Sequence, residues 1–256
     1  MEKLSLKGKV AIITGAGIGM GAATARLFAA RGANVLVADW NRAAGEETVA
    51  AIRKAGGAAE FALTNVADEQ SVKAMVAASV NAFGRLDCAV NNAGVSPETA
   101  PVHELDLAQA DRILAVNLRG VVACMKHEIA EMLKGGGGGA IVNIGSVNSQ
   151  RPQPNSLVYT AAKHAVVGMT KAAAVDYSPK GIRVNAVLPG AIRTPMLESS
   201  MIEHNLVEKD FAPILSLFGR FGEPEEVAEA SAWLCSDAAS YVTGASLAVD
   251  AGYLAR

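Results

Sequence analysis

Short apolar runs alternate with longer helical patterns along almost the whole chain. The apolar runs are continuous and rich in β-branched residues, which is typical of strands buried on both faces of a parallel sheet. They predict strands at residues 10–14, 34–39, 58–63, 87–90, 140–146, 182–188 and 246–249. The Ala-rich segments between them predict helices at residues 21–31, 43–55, 69–83, 106–133, 158–177 and 224–235. Strands that alternate with helices in this way indicate an α/β fold with right-handed crossovers.

The predicted architecture is a single doubly wound, parallel, seven-stranded sheet of the Rossmann type, with helices on both faces. The pattern is not interrupted by a second composition regime, an internal repeat or a linker. We therefore expect one domain over residues 1–256.

Two segments depart from the regular alternation. Residues 135–139 are five consecutive glycines between a helix and a strand. A phosphate-binding loop follows a strand, opens a helix and carries Lys-Ser/Thr, so this run is interpreted as a flexible turn. Residues 191–222 form a long connection with spaced apolar residues, which predicts helical excursions that cover a site as a lid.

Composition and charge limit the classes of partner. The 256 residues are 51% hydrophobic and 19% charged, a balance that suits a sheet covered on both faces and a large subunit interface. A formal net charge of −2 gives no reason to expect nucleic acid or an anionic membrane as partner. No uncharged apolar run reaches the ~18 residues of a membrane span, and the N-terminus lacks signal-peptide features. We therefore expect a cytoplasmic protein.

The cysteines and histidines show no spacing typical of a metal site, and we expect no metal. The three cysteines lie far apart, which indicates small buried hydrophobic residues in a reducing compartment: Cys88, Cys124 and Cys235. The four histidines are interpreted as surface or internally paired residues: His103, His127, His164 and His204. The charged residues of segment 128–134 are interpreted as a solvated helix face.

A glycine-rich turn directly follows the first predicted strand and opens the first helix. Residues 14–21 read TGAGIGMG, and these glycines permit a tight turn and a close approach of the backbone to a ligand. The free N–H groups of the helix N-terminus suit a pyrophosphate. Asp39 ends the second predicted strand, eighteen residues after Gly21 and close to the ~20 at which a carboxylate meets the ribose of a dinucleotide. The sequence therefore predicts a dinucleotide site.

Asp39 also bears on the type of cofactor. A 2′-phosphate placed beside its carboxylate would be repelled, so NAD is favoured over NADP. Arg42 lies close enough in sequence to weaken this repulsion, and Trp40 is an unusual neighbour. The alternative interpretation is that Asp39 only caps the following turn.

Tyr159 and Lys163 lie four residues apart within a predicted helix, and this spacing places both side chains on one face. A free tyrosine has a pKa of about 10, and a neighbouring ammonium lowers that pKa toward the range useful for acid/base chemistry at neutral pH. Ser146 ends the fifth predicted strand, at the edge where open parallel sheets bind ligands. Residues 91–94, Asn-Asn-Ala-Gly, follow the fourth strand, and Asn117 lies in the next helix.

Together these motifs resemble the short-chain dehydrogenase/reductase family over essentially the full length of the chain. The matching motifs are 14–21, Asp39, 91–94, Asn117, Ser146, 159–163 and 189–194. The resemblance implies an NAD-dependent oxidoreductase in which Tyr159 is the acid/base. It further implies that Lys163 lowers the pKa of Tyr159 and binds the nicotinamide ribose. Ser146 would orient the substrate oxygen, and Asn117 would position a water that relays protons.

The resemblance also implies which residues bind cofactor and substrate. Asn92 would contact the adenosine side and stabilise the central strands, while Ile192 and Thr194 would hold the nicotinamide carboxamide. The expected cofactor-binding residues are Gly15, Gly17, Ile18, Gly19, Asp39, Trp40, Asn65, Val66, Asn92, Ala93, Gly94, Tyr159, Lys163, Pro189, Gly190, Ile192 and Thr194. The expected substrate-binding residues are Ser146, Asn148, Gln153, Tyr159 and Met196. A homotetramer is implied as well, with interfaces on segments 106–133 and 158–177 and on the last strand.

Three short segments depart from the family pattern. Residues 19–21 read Gly-Met-Gly in place of Gly-Ile-Gly, a conservative change at the helix start. Asn65 replaces the aspartate that usually follows the third strand, and its side-chain carbonyl can still accept a hydrogen bond from an adenine amino group. Residues 249–252 read Val-Asp-Ala-Gly in place of Val-Asp-Gly-Gly. None of these changes alters a proton-transfer residue.

The apolar lid favours a secondary alcohol or ketone substrate, including a cyclic one, over a phosphorylated sugar. Arg151 is interpreted either as a ligand for an anionic substrate group or as a solvent-facing residue. Two alternatives stand beside an NAD-dependent alcohol dehydrogenase or ketone reductase. The first is an NADPH-dependent 3-oxoacyl-type reductase, against which Asp39 argues. The second is a cofactor-binding regulatory protein on the same fold, against which the intact set of Ser146, Tyr159 and Lys163 argues.

Overall fold

All the predicted strands form, and they pair side by side in parallel. The computed structural model describes residues 2–136, 138–203 and 205–256, and within these the strands form one seven-stranded sheet in the order β3-β2-β1-β4-β5-β6-β7. The strands are β1 (Val10–Thr14), β2 (Asn34–Asp39), β3 (Ala58–Leu63), β4 (Cys88–Asn91), β5 (Gly139–Ile144), β6 (Ile182–Pro189) and β7 (Ser246–Val249). The predicted α/β fold with a parallel seven-stranded sheet is confirmed. Only β4, β5 and β6 have shifted ends.

The helices cover both faces of this sheet. They are α1 (Gly19–Ala30), α2 (Arg42–Lys54), α3 (Glu69–Phe83), α4 (Leu107–Leu114), α5 (Val121–Lys134), α6 (Leu157–Tyr177), α7 (Pro195–Glu203), α8 (Glu208–Leu215) and α9 (Pro224–Cys235). The continuous α-helix predicted over residues 106–133 is wrong, since α4 and α5 are joined by a π-helical segment, Ala115–Gly120. Gly120 lies in that segment against Val66, where a Cβ would come within 3.0 Å. A π-helical turn is wider than an α-helical one, but the apolar residues of the sequence continue through this segment without an interruption that would reveal it.

Alternate positions along each strand build a core on either face of the sheet. In β1, Ala11 and Ile13 pack with apolar residues of α1, α2 and α9, whereas Ile12 packs with those of α3, α5 and α6. Phe28 of α1 and Met132 of α5 are fully buried in these two layers. Burial on both faces explains why the strands read as continuous apolar runs. It also holds the carboxyl ends of β1, β4 and β5 in fixed register.

Two predicted irregular segments are found where expected. The glycine run contains Gly136 at φ +94 and Gly138 at φ +101, and β5 starts at Gly139, while Gly137 lies outside the described residues. In segment 191–222, α7 and α8 are the predicted helical excursions, and a parallel bridge between Ile192 and Gly222 joins the two ends. Among the described residues, no helix is both long and apolar enough to span a membrane.

Ala251 adopts a conformation that favours glycine. Its φ is +46°, in the left-handed region, at the position where the family pattern has glycine. The carboxylate of Asp250 accepts hydrogen bonds from the N–H groups of Gly252 and Leu254, both at 2.9 Å, and the N–H of Leu217 donates to Ala251 O at 2.9 Å. These contacts hold the C-terminal turn against the end of the lid segment despite the strain at Ala251.

Candidate active site

The glycine-rich turn lies where the strand order reverses. β1 has β2 on one side and β4 on the other, and the crevice at such a switch point is the usual ligand site of an open α/β sheet. Gly15 and Gly19 have φ values of +63° and +55°. A Cβ on Gly21 would overlap the carbonyl oxygen of Gly15. The turn is therefore a cradle that only glycine can build at these positions.

Asp39 is buried at the end of β2, where its carboxylate faces this turn. One oxygen accepts a hydrogen bond from the N–H of Gly17 at 2.8 Å, and the other accepts one from the N–H of Asn41 at 2.8 Å. Asp39 therefore stabilises the following turn as well as facing the cradle, so the two interpretations of this residue are compatible. Each carboxylate oxygen keeps a second lone pair for a ligand hydroxyl. Arg42 pairs with Glu46 at 3.0 Å and stacks over Phe61.

Four more predicted cofactor residues line the same edge. Trp40 is 76% exposed beside Asp39, and Ile18 is exposed on the glycine turn. Val66 is buried after β3, while the side-chain oxygen of Asn65 accepts a hydrogen bond from the N–H of Ala67 at 3.1 Å. The side-chain carbonyl of Asn65 was expected to accept a hydrogen bond from an adenine amino group, and it already accepts one within its own turn. A contact with adenine would use the remaining lone pair of this oxygen.

Asn92 joins the ends of β1 and β4. Its side-chain amide donates to the carbonyls of Thr14 and Gly15 at 2.9 and 3.2 Å. The hydroxyl of Thr14 in turn accepts from the N–H groups of Asn92 and Ala93 at 3.0 and 3.1 Å. This is the strand-stabilising part of the role expected for Asn92, and its contact with adenosine stays a prediction.

Asn117 clamps the chain beyond β4. Its side-chain oxygen accepts from the N–H of Val95 at 2.8 Å, and its side-chain N–H donates to the carbonyl of Val95 at 3.0 Å. Gly94 passes directly beside it, since a Cβ there would come within 3.2 Å of the Asn117 amide oxygen. Both polar atoms of the Asn117 side chain are therefore hydrogen-bonded to the backbone of Val95. Its role in positioning a water stays a prediction.

Ser146 is held by a short turn that follows β5. Its hydroxyl oxygen accepts a hydrogen bond from the N–H of Asn148 at 3.1 Å, and its own N–H donates to the hydroxyl of Ser149 at 3.2 Å. These two bonds fix the hydroxyl at the carboxyl edge of the sheet, with its proton and one lone pair remaining.

Tyr159 and Lys163 lie on the same face of α6, beside Ser146. The Lys163 Nζ is 5.6 Å from the centre of the Tyr159 ring and donates to the carbonyl of Ile144 at 2.9 Å. Burial lowers the pKa of Lys163 to about 8. Burial also raises the pKa of Tyr159, and a hydrogen bond between the Ser146 hydroxyl and the phenol opposes that rise. The expected lowering of the Tyr159 pKa is therefore not the net direction here, because desolvation outweighs the favourable contact.

The other residues expected to hold the nicotinamide end and the substrate lie between the end of β6 and the start of α7. Pro189 ends β6 and Gly190 follows it, Ile192 is buried, and Thr194 lies next to Gly19 across the crevice. Met196, at the start of α7, is exposed. The contacts of these residues with the nicotinamide and the substrate stay predictions.

The loop after Ser146 contains two of the expected substrate-binding residues, Asn148 and Gln153. Asn148 is 3% exposed and its amide donates to the hydroxyl of Ser156 at 3.4 Å, so it stabilises the loop, and its substrate contact stays a prediction. Gln153 is half-buried, and its carbonyl accepts from the Ser156 hydroxyl at 2.7 Å. Arg151 is exposed, as the solvent-facing interpretation expects, and its guanidinium donates to the carbonyls of Tyr253 and Arg256 and stacks on Tyr253. Its contact with an anionic substrate group stays a prediction.

A cavity of about 520 Å³ opens between the lid helices, and its lining does not include Ser146 or Tyr159. Its walls are apolar at Met201, Leu206 and Phe221, with Arg193 bridging Glu208 at 2.8 Å and Glu223 at 3.1 Å. The cavity therefore lies within the lid segment, residues 191–222, and is separate from the edge of the sheet where Ser146 and Tyr159 lie.

Among the described residues, no group of three His, Cys, Asp or Glu side chains could hold a metal ion. His103 contacts Glu104 at 3.2 Å, His127 contacts Glu69 at 3.3 Å, and His164 contacts the carbonyl of Thr160 at 3.0 Å. His204 lies outside the described residues. The cysteines are free and buried, as expected.

Comparison with known proteins decides the family. A family model described as enoyl-(acyl carrier protein) reductase matches residues 15–254. A short chain dehydrogenase/reductase of Aspergillus oryzae is 49% identical over 252 residues, which cover 98% of this chain and 97% of the relative. This chain belongs to the short-chain dehydrogenase/reductase family. Members of this family bind nicotinamide cofactors, as the cradle and Asp39 indicated.

Other members of the short-chain dehydrogenase/reductase family are similar over their full length. The 2,5-dichloro-2,5-cyclohexadiene-1,4-diol dehydrogenase of Sphingobium indicum is 46% identical over 250 residues, 98% of each chain. The crystal structure of levodione reductase has a TM-score of 0.93 and 37% identity, covering 97% of this chain and 98% of its own. This short-chain dehydrogenase/reductase is accordingly an oxidoreductase of alcohol and ketone groups.

Two buried acids of this short-chain dehydrogenase/reductase were missed by sequence reasoning. Glu98 lies in the β4–α4 connection and accepts hydrogen bonds from the start of α6. Glu128 is fully buried on α5, so its assignment to a solvated helix face is wrong. Its Oε2 accepts a hydrogen bond from the amide of Asn91 at 3.0 Å, and the same amide donates to Asn143 of β5 at 3.0 Å. The apolar residues around Glu128 on α5 were the only sequence signal of its burial.

Proposed function

We propose that this short-chain dehydrogenase/reductase interconverts a secondary alcohol, including a cyclic one, and its ketone, with NAD(H) as cofactor. The observation that carries the proposal is the convergence of Ser146, Tyr159 and Lys163 at the carboxyl edge of β5. The name of the Sphingobium relative, a cyclohexadiene-diol dehydrogenase, supports a cyclic alcohol. The exposed apolar side chains of the lid segment fit such a substrate.

Each of the three residues has a distinct part in the proton chemistry. A bound nicotinamide ring supplies or accepts the hydride. Tyr159 takes the hydroxyl proton of the alcohol during oxidation and returns it during reduction, while Ser146 hydrogen-bonds the same oxygen. Lys163, with a pKa of about 8, is charged at neutral pH and stabilises the phenolate form of Tyr159. Because burial raises the pKa of Tyr159, alcohol oxidation is expected to accelerate as pH rises from neutral.

The crevice fits a nicotinamide dinucleotide on structural grounds. Gly17 approaches Asp39 so closely that a Cβ would come within 2.9 Å of its carboxylate, and Gly15 and Gly19 adopt positive φ. The N-terminus of α1 opens from the same turn, and its N–H groups suit the pyrophosphate. Asp39 supports NAD, because a 2′-phosphate would meet its carboxylate and Arg42 is engaged with Glu46.

The cofactor part of the proposal predicts a clear ratio of affinities. The dissociation constant of NADPH should exceed that of NADH by at least about 10-fold, since one added charge repulsion near a partly buried carboxylate is worth more than 1.4 kcal/mol. Asp39→Asn keeps the size of the side chain and removes the charge, so the ratio should fall toward unity. Fluorescence titration with NADH and NADPH measures both constants, and turnover with a cyclic secondary alcohol should follow the same preference.

Asp237→Asn is the matched control for this experiment. Asp237 is a surface carboxylate that pairs with Lys9, next to the amino end of β1, and its removal should leave the ratio unchanged. A wild-type preference for NADPH would contradict the proposed role of Asp39 and would favour the 3-oxoacyl-type reductase. An unchanged ratio in Asp39→Asn would show that another group selects the cofactor.

We also propose a homotetramer. Apolar side chains lie exposed along the helices expected to form its interfaces, and burying them against a second copy is favourable. These residues are Leu114, Val122, Leu133, Leu157 and Val175.

A further inference from the structure

A buried carboxylate in the β4–α4 connection has no part in the proton chemistry described above. Glu98 is 1% exposed, and its two oxygens accept hydrogen bonds from consecutive backbone N–H groups. Oε1 accepts from the N–H of Val158, and Oε2 accepts from the N–H of Tyr159 at 3.1 Å. A buried carboxylate without such donors would be costly, so these two bonds fix where Glu98 lies.

The two N–H groups are those that a helix cap normally satisfies. α6 begins at Leu157, and the first N–H groups of a helix have no acceptor within the helix. Ser156 occupies the cap position but its side chain does not cap, because its hydroxyl donates to the carbonyl of Gln153 at 2.7 Å. Glu98 replaces that cap from sixty residues away in the sequence, and the positive end of the helix dipole stabilises its charge.

The same connection is tied down on its other side. Asn117 clamps Val95, and Val95 packs, as Tyr159 does, against the cluster of Ala110, Ile113 and Val158. Glu98 therefore links the connection that borders the active-site edge to the backbone of Tyr159 itself. A shift of this connection would be passed directly to the phenol, since Tyr159 is only the third residue of its helix.

We propose that Glu98 is the positioning residue that sets Tyr159, by capping α6 at the N–H of Tyr159 and joining that helix to the β4–α4 connection. The inference rests on the proposed acid/base role of Tyr159. Glu98 itself is too buried to contact a substrate, so it acts only through the helix and through its charge.

The charge of Glu98 gives a readout that packing alone would not change. Lys163 favours the phenolate of Tyr159, while Glu98, bonded to the backbone of the same residue, disfavours it. Within the described part of the chain, the cluster that Tyr159 packs against is uncharged, with Ala110 and Ile113 contributed by α4. Ser146, which follows β5, is uncharged as well. The ionisable residues of α4 and of the π-helical segment are exposed: Asp111, Arg112 and Arg119.

The test compares Glu98→Gln and Glu98→Asp with Glu104→Gln, which changes an exposed glutamate in the same connection. In Glu98→Gln the side chain has one acceptor oxygen instead of two, so it can accept a hydrogen bond from only one of the two N–H groups of α6, and its charge is lost. Its kcat should fall about 10- to 100-fold, with the NADH dissociation constant within about twofold of wild type. The midpoint of its pH profile for alcohol oxidation should move to lower pH. Glu98→Asp, which keeps the carboxylate, should recover part of the rate, and Glu104→Gln should behave as wild type.

A second measurement needs no turnover. Hydrogen exchange of the peptide that contains Val158 and Tyr159 should be at least about 10-fold faster in Glu98→Gln than in wild type, because the capped N–H groups lose an acceptor. Unchanged exchange, or a kcat within twofold of wild type with an unmoved pH profile, would overturn the proposal for Glu98. If exchange accelerates but Tyr159→Phe retains full turnover, the cap is real and the acid/base role of Tyr159 fails instead.

Discussion

Tyr159→Phe should lower kcat for alcohol oxidation and for ketone reduction by at least about 1,000-fold, because it removes the only proton carrier proposed at the reacting oxygen. The phenyl ring preserves the packing of Tyr159 against the cluster of Ala110, Ile113 and Val158. NADH affinity should therefore stay within about twofold of wild type. Steady-state rates in both directions, together with fluorescence titration of NADH, measure the two effects separately.

Tyr177→Phe provides the matched control. Tyr177 ends the same helix, and Lys180 lies over its ring at 4.8 Å, far from Ser146 in the fold. Loss of this hydroxyl should leave kcat unchanged. If Tyr159→Phe kept more than a tenth of the wild-type kcat while Tyr177→Phe kept all of it, Tyr159 would not be the acid/base.

Glu128→Gln should raise the free energy of unfolding by about 3 kcal/mol above neutral pH. Burial raises the pKa of Glu128 from its ordinary 4.5 to about 7. Among the described residues, Glu128 Oε1 and Asn91 Oδ1 accept no hydrogen bond. A glutamine keeps the acceptor for the Asn91 amide and brings an N–H₂ that can donate to the unpaired oxygen, without a buried charge.

The sign of the pH dependence follows from the direction of the shift. Between pH 4.5 and about 7 the folded protein holds the Glu128 proton while the unfolded chain releases it. The contribution of this residue to stability is therefore complete below pH 4.5, falls through that window, and stays at its low value above pH 7. Glu128→Gln lacks this loss, so its advantage should grow from near zero at pH 4.5 to its full size at pH 8.

Urea unfolding of both proteins at pH 5 and pH 8 checks this expectation. Glu131→Gln, on the same helix but paired with Lys134 at the surface, should show no growing advantage. An advantage for Glu128→Gln of equal size at both pH values would mean that Glu128 does not titrate in this window.

The parts of the fold that follow from local spacing could be predicted. The glycine turn, Asp39, and the Tyr159–Lys163 pair all lie at fixed distances along the chain from a strand or helix that the apolar pattern marks. Ser146 follows in the same way, because it comes just after a strand and parallel strands bring their carboxyl ends to one edge. The structure places these residues around one crevice.

The parts that depend on distant partners could not be predicted. The π-helical turn at Asn117 depends on Val95 and Val66, which approach it only in the folded protein. Arg151 is bound to the C-terminal residues, about a hundred positions away. Glu98 and Glu128 read as ordinary polar residues in sequence, because their donors come from α6 and β4. Nor does the sequence reveal that burial outweighs the Ser146 hydroxyl in setting the pKa of Tyr159.

The most direct test of the central claim is the formation of NADH by the wild-type protein from NAD and a panel of cyclic and open-chain secondary alcohols. We predict turnover with NAD that rises with pH from neutral, exceeds turnover with NADP, and is greater for cyclic alcohols. The absence of NADH formation with every alcohol, in a protein that binds NADH, would contradict the proposal that this chain is an alcohol dehydrogenase.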